Sequence, residues 1–462
     1  MAGHVAGAAP ALQARAVSFV REHRLPGAAV GVVHGGDLVW SAGVGFADVG
    51  ARQLTEQSTL YRIASITKTI TGTAIMQLCD AGLLHLDDPA VAHLPELRLA
   101  ASPFGAIETV TIRRMLSHES GLAGEPPGTD WSIPDYQGVV DRTLERVADI
   151  GTKIAPNLQQ KYSNLAYQLL GEIVARASQT PYPRYVREAI LEPLAMSDTG
   201  FEPLPATLQA RCATGYAGRA FSDELDLAPV MPAVWAEGGL WSGLADLARW
   251  LSFQLSAYAG ADNKCGVLTA ARLRDMHQPR YLGDAEWTQA WGISWYAARR
   301  GDVIWIQHSG GMPGFTSNMC FDPDEQVGAI ALLNGSANAS ELAMDLAEIA
   351  RHAARAAAAV IEPPAPTPDA FRCLLGIYAG PEPGLFVRLE WRDGKLTFID
   401  PDAAAWRPTL APTGDPDIFT IEPGVRQSGD HATFHRLSDG RVTSVFLGTA
   451  TLIRMDRVHP AD

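Results

Sequence analysis

A serine and a lysine three positions apart are the first residues in this chain whose types and spacing could do chemistry. They lie in the segment Ser65-Ile66-Thr67-Lys68, and on a helix this spacing places both side chains on one face. A serine hydroxyl needs a neighbouring base. A lysine amine can be that base when burial and the positive end of a helix lower its pKa. The segment therefore predicts a nucleophile, Ser65, and its base, Lys68, in a serine hydrolase that forms an acyl-enzyme.

The alternative is that Ser-x-x-Lys, a short pattern, occurs here by chance. The composition weakens that alternative, because the chain contains 5 lysines against 32 arginines. Arginine does not lose its proton in proteins and cannot act as a base. A lysine inside an apolar helix of an arginine-rich chain, one turn after a serine, therefore favours a chemical role.

A tyrosine and an asparagine form a second candidate pair, in Tyr162-Ser163-Asn164. In an extended segment, residues two apart point to the same side. A phenol can relay a proton when nearby cations lower its pKa, and an asparagine amide can bind a substrate carbonyl. By itself the pattern is weak, since a capping asparagine beside a core tyrosine is the alternative.

The third candidate is His308-Ser309-Gly310-Gly311, at the end of a predicted strand. A histidine on a strand is often only structural, but two glycines allow a substrate to approach the backbone closely. The backbone amides of Gly311 and Ser65 could then form an oxyanion hole, with His308 and Gly310 beside the substrate.

Several other kinds of site have no matching pattern. The sequence contains no Gly-x-Ser-x-Gly nucleophile elbow, no His-Glu-x-x-His zinc motif and no phosphate-binding loop. No cysteine pair has metal-ligand spacing, and the five scattered cysteines do not indicate a disulfide framework. We therefore predict an enzyme without a metal or another cofactor.

Charge and hydropathy limit the partners. The formal net charge of −14 disfavours nucleic acid and anionic membrane surfaces. No apolar stretch approaches the ~20 residues that span a bilayer, and the N-terminus lacks the basic start of a secretory signal. We predict a soluble, cytoplasmic protein that binds a small ester or peptide; a mature chain after signal removal would have the same features. The oligomeric state is left open.

The predicted elements form a sheet from both ends of one domain. Helix-type patterns dominate between residues 66 and 276, and strand-type hairpins occur before and after them. This order predicts an α+β domain over residues 1–361, with one antiparallel sheet, flanking helices and an inserted helical lobe. A proline-rich linker at 362–369 and a small all-β domain at 370–462, an antiparallel barrel or sandwich, follow. The strands and helices of the first domain are predicted at 27–33, 38–40, 292–298, 303–307, 315–321 and 327–334, and at 11–22, 66–81 and 339–361.

The three motifs, in this order, resemble those of the serine β-lactamase and penicillin-binding-protein superfamily. The nearest branch is similar to class C β-lactamases, family VIII carboxylesterases and D-aminopeptidases. The last β-domain resembles the lipocalin-like appendage of some D-peptidases, related hydrolases and peptide-cyclising thioesterases of that superfamily. Further matching segments are Leu25-Pro26-Gly27, Arg62-Ile63-Ala64-Ser65, Leu116-Ser117-His118-Glu119-Ser120-Gly121-Leu122, Gly238-Gly239-Leu240-Trp241-Ser242 and Gly311-Met312-Pro313-Gly314-Phe315.

The resemblance implies a role for each candidate residue. Ser65 is similar to the family nucleophile, Lys68 to its activating lysine and Tyr162 to its acid/base tyrosine. Asn164 matches the asparagine that orients substrate, and Ser65 and Gly311 would supply the oxyanion amides. The chain departs from the β-lactamases at one point: His308-Ser309-Gly310 replaces their Lys-Thr-Gly.

That departure decides the order of the hypotheses. Histidine is largely neutral at pH 7, so the cation that holds a β-lactam carboxylate is missing. We therefore expect a carboxylesterase on small carboxylic esters. A D-amino-acid peptidase or amidase, or a peptide acyltransferase of the thioesterase type, is the main alternative. A β-lactamase and a non-catalytic binding protein are weaker ones.

Overall fold

The computed structural model describes most of the chain. The described residues are Val5 and residues 7–126, 143–218, 225–228, 236–259, 265–284, 286–301, 303–358, 366–380, 386–392, 394–400, 407–425, 427–448 and 450–455. They divide into two compact units, Met1–Ala358 and Ala359–Asp462.

A nine-stranded antiparallel sheet forms the centre of the first unit, in the order β3-β2-β1-β14-β13-β12-β11-β10-β9. N-terminal strands lie beside C-terminal ones, which confirms the prediction of one sheet built from both ends. Its strands are β1 Gly27–His34, β2 Asp37–Asp48, β3 Gln53–Leu54, β9 Tyr281–Leu282, β10 Gln289–Trp291, β11 Tyr296–Arg300, β12 Val303–Met312, β13 Phe315–Asp322 and β14 Val327–Leu333. Between them lie the short strands β4 Tyr61–Arg62, β5 Gly200–Phe201, β6 Tyr216–Gly218, β7 Leu225–Leu227 and β8 Leu240–Ser242.

The first unit also contains ten described α-helices. They are α1 Ala9–Glu22, α2 Thr67–Asp80, α3 Ala90–His93, α4 Ile112–Leu116, α5 Asn164–Ser178, α6 Tyr182–Val186, α7 Ala206–Gln209, α8 Leu244–Ser256, α9 Ala270–His277 and α10 Ala339–Ala358. Helical turns of other types lie at Ala64–Ile66, Pro95–Leu99, Ile107–Thr109, Val147–Asp149 and Arg187–Leu191. Most of these elements lie between β4 and β9, where the sequence predicted the helical lobe. None of the described helices has the length and apolarity needed to cross a bilayer.

Strand β1 is buried on both faces because helices cover both sides of the sheet. Side chains alternate between faces along a strand: Val30 and Val32 pack in the core of α1 and α10, and Ala29 and Val33 pack in the core shared with α8 and the helical lobe. This sandwich holds β12 to β14 rigidly, and β12 carries part of the site described below.

Helix α2 is buried on nearly every side, from Thr67 to Met76. Its apolar residues surround the axis, as the sequence predicted, so the helix packs inside the protein and not on its surface. It ends before Gly82, whose φ of +69° is a conformation that favours glycine. A helix held in this way can place Lys68 in the interior.

The short three-stranded sheet β4-β8-β5 joins two distant parts of the sequence. Its β4 leads directly into the turn with Ser65, and its β8 follows Glu237. Tyr61 pairs with Ser242 and Arg62 with Trp241, while the Ile63 amide donates to the Leu240 carbonyl at 3.0 Å. This pairing fixes the Glu237 segment beside the start of α2.

The second unit contains a closed antiparallel barrel in which neighbouring strands are consecutive in sequence, and its interior is apolar. This agrees with the predicted all-β domain. Residues 359–365, which include much of the predicted proline-rich linker, lie outside the described residues, and the short helix α11 Asp369–Arg372 follows. The barrel strands are β15 Gly376–Ala379, β16 Phe386–Arg392, β17 Lys395–Ile399, β18 Thr409–Pro412, β19 Ile418–Ile421, β20 His431–Arg436, β21 Val442–Leu447 and β22 Thr451–Arg454.

The predicted end of β12 was wrong by five residues. The sequence pattern ended the strand at Gln307, but the structure continues it through His308 to Met312. The added residues pair with β13 as far as the Met312–Phe315 pair, where Pro313 and Gly314 make the turn. Glycines lower strand propensity, so the pattern underestimated a strand that tertiary pairing supports.

Candidate active site

Ser65 lies in a tight turn between β4 and α2. Ala64 has a left-handed φ of +44°, which is uncommon for a residue with a side chain and turns the chain sharply at this point. Residues Ala64–Ile66 form one 3₁₀ turn, and α2 begins at Thr67. Ser65 is only partly buried. It therefore lies between solvent and the part of the protein interior that contains Lys68.

The Lys68 amine has three oxygen atoms within hydrogen-bond distance. Its Nζ lies 3.0 Å from Ser65 Oγ, 2.7 Å from Asn164 Oδ1 and 2.6 Å from the backbone carbonyl of Glu237. The last two atoms can only accept, so they hold two N–H bonds of a neutral amine. The amine lone pair is then left for the Ser65 hydroxyl, which can donate its proton to it.

Burial favours that neutral amine. Lys68 is 0% exposed, and desolvation lowers its pKa well below the usual value of a lysine, while the charges of Glu237 and Glu125 oppose the shift. Its position in the first turn of α2 adds the positive end of the helix dipole. The sequence expectation of a buried lysine at a helix start is therefore met by the geometry.

Tyr162 lies on the other side of Ser65. Burial raises the pKa of its hydroxyl, and the neighbouring Ser65 hydroxyl opposes that shift. The Lys68 Nζ lies 5.0 Å from the centre of the Tyr162 ring, within the range of a cation–π contact when the amine is protonated. Serine, lysine and tyrosine therefore form one connected group.

Asn164 is the first residue of α5, and Ser163 caps this helix. The Ser163 hydroxyl accepts the Ala166 amide at 2.9 Å and donates to the Ala123 carbonyl at 2.7 Å. The capping role that the sequence could have assigned to Asn164 thus belongs to its neighbour. The Asn164 side chain is free to contact Lys68.

Glu125 determines the orientation of the Asn164 amide. Asn164 Nδ2 donates to Glu125 Oε1 at 2.7 Å, which leaves Oδ1 as the acceptor for Lys68. Glu125 was not identified as a site residue from the sequence. Its only local signal is an acidic residue next to Gly124, and its partner is 39 positions away.

His118 supports the tyrosine and was also given no role from sequence. Its Nδ1 accepts the Ser163 amide at 3.1 Å, and its ring stacks on Tyr162 with centroids 4.2 Å apart. A protonated Nδ1 could not accept that bond, and burial and the charge of Lys68 lower the His118 pKa well below its usual value. A neutral His118 therefore fixes the backbone between Tyr162 and Asn164.

The glycines of β12 bring the strand against the Ser65 turn. A Cβ on Gly310 would lie 2.2 Å from the Ile63 carbonyl oxygen, whereas a Cβ on Gly311 would meet no atom within 4 Å. Strand β11 pairs with β12 only as far as Gln307. In the described part of the chain, β12 therefore has one unpaired edge from His308 onward, beside the turn that carries Ser65.

His308 is buried and neutral. It is 1% exposed, and its Nδ1 lies 2.7 Å from the Ser309 carbonyl, so Nδ1 carries the proton and Nε2 a lone pair. Desolvation, and next the charge of Lys68, lower its pKa to about 3. Trp291 and Tyr296 stand edge-on to its ring at 6.0 and 5.8 Å. This histidine cannot supply a positive charge at neutral pH.

The structure thus brings together all the residues that the sequence analysis selected: Ser65, Lys68, Tyr162, Asn164, His308, Gly310 and Gly311. Residues 12–354 match the Beta-lactamase family. The chain belongs to this family. The match covers the whole sheet and all the residues of the site, and it places the protein in the β-lactamase-like superfamily of serine hydrolases.

Two curated relatives are similar to this Beta-lactamase family chain. Protein flp of Staphylococcus aureus (strain NCTC 8325 / PS 47) is 26% identical over 324 residues, which are 68% of this chain and 61% of that protein. The D-alanyl-D-alanine-carboxypeptidase/endopeptidase AmpH of Escherichia coli (strain K12) is 27% identical over 283 residues, 60% of this chain and 71% of AmpH. The chain therefore spans less than two thirds of the length of the staphylococcal relative.

Two solved structures share the fold over nearly the entire chain. The octameric penicillin-binding protein homologue from Pyrococcus abyssi superposes with a TM-score of 0.61 at 22% identity and covers 96% of this chain and 99% of its own. The crystal structure of SurE superposes with a TM-score of 0.59 at 24% identity, covering 97% and 99%. At these identities the likeness concerns the fold, including the second unit.

Proposed function

We propose that this chain is a carboxylesterase that cleaves small carboxylic esters through an acyl-enzyme on Ser65. The observation that supports it most is the Lys68 amine, whose two acceptors, Asn164 Oδ1 and the Glu237 carbonyl, leave its lone pair for Ser65 Oγ at 3.0 Å. This is the arrangement that general-base activation of a serine requires.

The proposed reaction has two steps. In the first, the Ser65 proton passes to Lys68 Nζ as Oγ bonds to the ester carbonyl, and the C–O bond to the alcohol then breaks as that oxygen takes a proton through Tyr162. In the second, water loses a proton to the same groups as its oxygen bonds to the acyl carbon; the bond from that carbon to Ser65 Oγ then breaks, Oγ takes the proton back, and the acid leaves. The amides of Ser65 and Gly311 are proposed to bind the oxyanion; such donors stabilise developing charge.

A neutral His308 supports an ester over an anionic substrate. A β-lactam and a peptide C-terminus both present a carboxylate near the reacting carbonyl, and that anion gains from a fixed cation. His308 stands where β-lactamases carry a lysine, and its buried ring is neutral. A simple ester presents no carboxylate and loses nothing from the absence of that charge.

We expect kcat/KM at pH 7 to be higher for p-nitrophenyl butyrate than for a chromogenic cephalosporin. A charge-assisted hydrogen bond contributes roughly 1.5–3 kcal/mol, so its absence should cost the cephalosporin about ten- to a hundredfold. Both assays use one preparation, and a serine-reactive phosphonate gives the concentration of active sites. Equal values, or a preference for the cephalosporin, would contradict the argument from His308.

The same experiment gains a control from two variants of one position. His308→Lys restores the cation and should move the ratio of the two kcat/KM values toward the cephalosporin. His308→Gln removes the ring without adding charge and should leave the ratio close to that of the wild type. A similar change in both variants would assign the effect to shape and not to charge.

Tyr162→Phe is expected to lower kcat for the ester by about 10²–10³-fold, since a positioned acid or base typically contributes 10²–10⁴-fold. The phenylalanine keeps the stacking on His118 and removes only the hydroxyl that reaches Ser65. Steady-state kinetics with two leaving groups check the role: the loss should be larger for a poorly leaving alkyl alcohol than for p-nitrophenol. A loss below tenfold for both would remove Tyr162 from the proton path.

One observation favours a second candidate, a peptidase that acts on D-amino-acid peptides: the similarity to AmpH, which is named a D-alanyl-D-alanine carboxypeptidase/endopeptidase. A carboxypeptidase must bind a terminal carboxylate, whereas an aminopeptidase or amidase need not. Comparing a D-alanyl p-nitroanilide with an acyl-D-Ala-D-Ala peptide separates these activities. Turnover of the second but not of esters would favour the peptidase, and turnover of neither would favour a binding protein.

A further inference from the structure

A buried acidic side chain next to Lys68 has no part in the reaction described so far. Glu237 lies directly before β8, and its backbone carbonyl accepts from Lys68 Nζ at 2.6 Å. The residue is 2% exposed. Neither of its carboxyl oxygens is open to solvent or has a hydrogen-bond partner among the described residues.

Such a carboxyl group is unusual because an unpartnered carboxylate is costly to bury. Burial raises the pKa of Glu237, and the charge of Lys68 opposes that shift. The cost is therefore smallest when the amine carries its proton. The stability of the carboxylate and that of the ammonium depend on each other.

Other charged or titratable groups surround Lys68 and Glu237, and none of them takes the place of the Glu237 charge. Near Lys68, Glu125 is held by Asn164, and the aromatic side chains are neutral at the working pH. The groups that face Lys68 are Glu237, Glu125, Tyr162, Tyr167, His118 and His308; those that face Glu237 are Lys68, Glu125, Tyr162 and Tyr182.

We propose that Glu237 is a positioning residue whose carboxylate stabilises the ammonium form of Lys68 after Ser65 has given up its proton. The inference rests on the proposed role of Lys68 as the base. The Ser65 O–H bond breaks, the Lys68 N–H bond forms, and Glu237 neither gains nor loses a proton, since neither of its carboxyl oxygens has a hydrogen-bond partner among the described residues. It acts on Lys68 only through its charge.

The test is the pH dependence of kcat/KM in Glu237→Gln. Hydrolysis requires the neutral amine, so activity rises as pH rises through the Lys68 pKa. Loss of a nearby negative charge lowers that pKa, and an opposite charge within ~4–6 Å shifts a pKa by about 1–3 units. We expect the acid limb of the profile to move to lower pH by about one unit, with a lower kcat above it.

Two controls separate charge from structure. Glu237→Asp keeps the charge and should retain the acid limb of the wild type. Glu172→Gln makes the same substitution in a second glutamate that lines the same cavity of about 360 Å³ behind the site but pairs with Arg176 at 2.7 Å, and it should leave the profile unchanged. A purely structural role for Glu237 predicts a uniform loss at all pH values and an unmoved acid limb.

The inactivation rate with a serine-reactive phosphonate gives a second profile, because this single step needs Lys68 but not the release of an acid. If the acid limb of Glu237→Gln lies within about 0.2 pH units of the wild-type limb in both profiles, the inference is overturned. Labelling of Ser65 would in that case still support the proposed function. If Glu237→Gln does not fold, the same profiles of Glu237→Asp and Glu237→Met decide: only the methionine variant should shift. Absence of Ser65 labelling in the wild type would instead reject the proposed function.

Discussion

Replacing Ser65 with alanine is expected to lower kcat for a butyrate ester by on the order of 10⁴–10⁶-fold, the range found when a nucleophile that acts with its base is removed. The substitution deletes the atom that bonds to the carbonyl, and no neighbouring group can take its place. Lys68, the adjacent amine, would lose one hydrogen-bond partner but keep Asn164 Oδ1 and the Glu237 carbonyl. The structure should therefore survive the loss of activity.

Mass spectrometry after treatment with a phosphonate ester checks the assignment. The wild type should gain one adduct, on the peptide that contains Ser65, and Ser65→Ala should gain none. Ser178→Ala is a matched control: this serine ends the helix that begins with Asn164, and its hydroxyl bonds the Val174 carbonyl and the backbone of Thr180, so both labelling and activity should persist. An adduct on another serine, or a wild-type rate in Ser65→Ala, would require a different nucleophile.

The sequence predicted those parts of the fold that depend on local patterns. Local patterns predicted the strands β1, β2, β13 and β14 and the apolar helix α2. The alternation of buried residues on a sheet face, or their distribution around a helix, is visible in consecutive residues of the sequence. The turn at Ser65 was found in the same way, since nucleophile and base lie on one helical face. The bounds of several strands were missed: β2 extends to Asp48 beyond the predicted 38–40, β11 begins at Tyr296 and not at residue 292, and β12 extends to Met312.

The residues that complete the site were missed because their partners lie far away in the sequence. Glu237 is 169 positions from Lys68, and Glu125 is 39 positions from Asn164. No periodicity connects such residues; the short sheet of β4 and β8 brings Glu237 to Lys68. One local signal existed: Glu237 is an acidic residue in the small and apolar run Ala236-Glu237-Gly238-Gly239-Leu240, where a charge is costly unless it has a use.

The sequence showed that His308 stands in place of the β-lactamase lysine, but it did not show the physical consequence of that replacement. An exposed histidine gains a proton near pH 6.5 and could serve as a cation in mildly acidic solution. The buried ring, with its Nδ1 bonded to the Ser309 carbonyl and its pKa lowered to about 3, remains neutral throughout the range in which an esterase is assayed. The choice between ester and anion therefore depends on burial and not only on residue type.

Lys68→Arg is expected to be nearly as damaging as Lys68→Ala, each lowering kcat/KM for the ester by about 10⁴-fold, the upper range for a general base. Arginine keeps a positive charge but cannot accept a proton. The larger guanidinium must also enter a site in which Lys68 is 0% exposed, so thermal unfolding is measured alongside the kinetics. If Lys68→Arg retains activity within tenfold of wild type, Lys68 acts only as a charge.

A small amine added to the solution can separate lost chemistry from lost structure. Lys68→Ala leaves a space beside Ser65 Oγ, lined by the same two acceptors that hold the Lys68 amine. Ethylamine should enter this space and restore part of the ester hydrolysis. The rescue should increase with pH, because only the neutral amine has a lone pair for the Ser65 proton. The side chain of Lys68→Arg fills the space, so no rescue is expected there. Equal rescue of both variants, or rescue that falls as pH rises, would show that the site needs a cation and not a base.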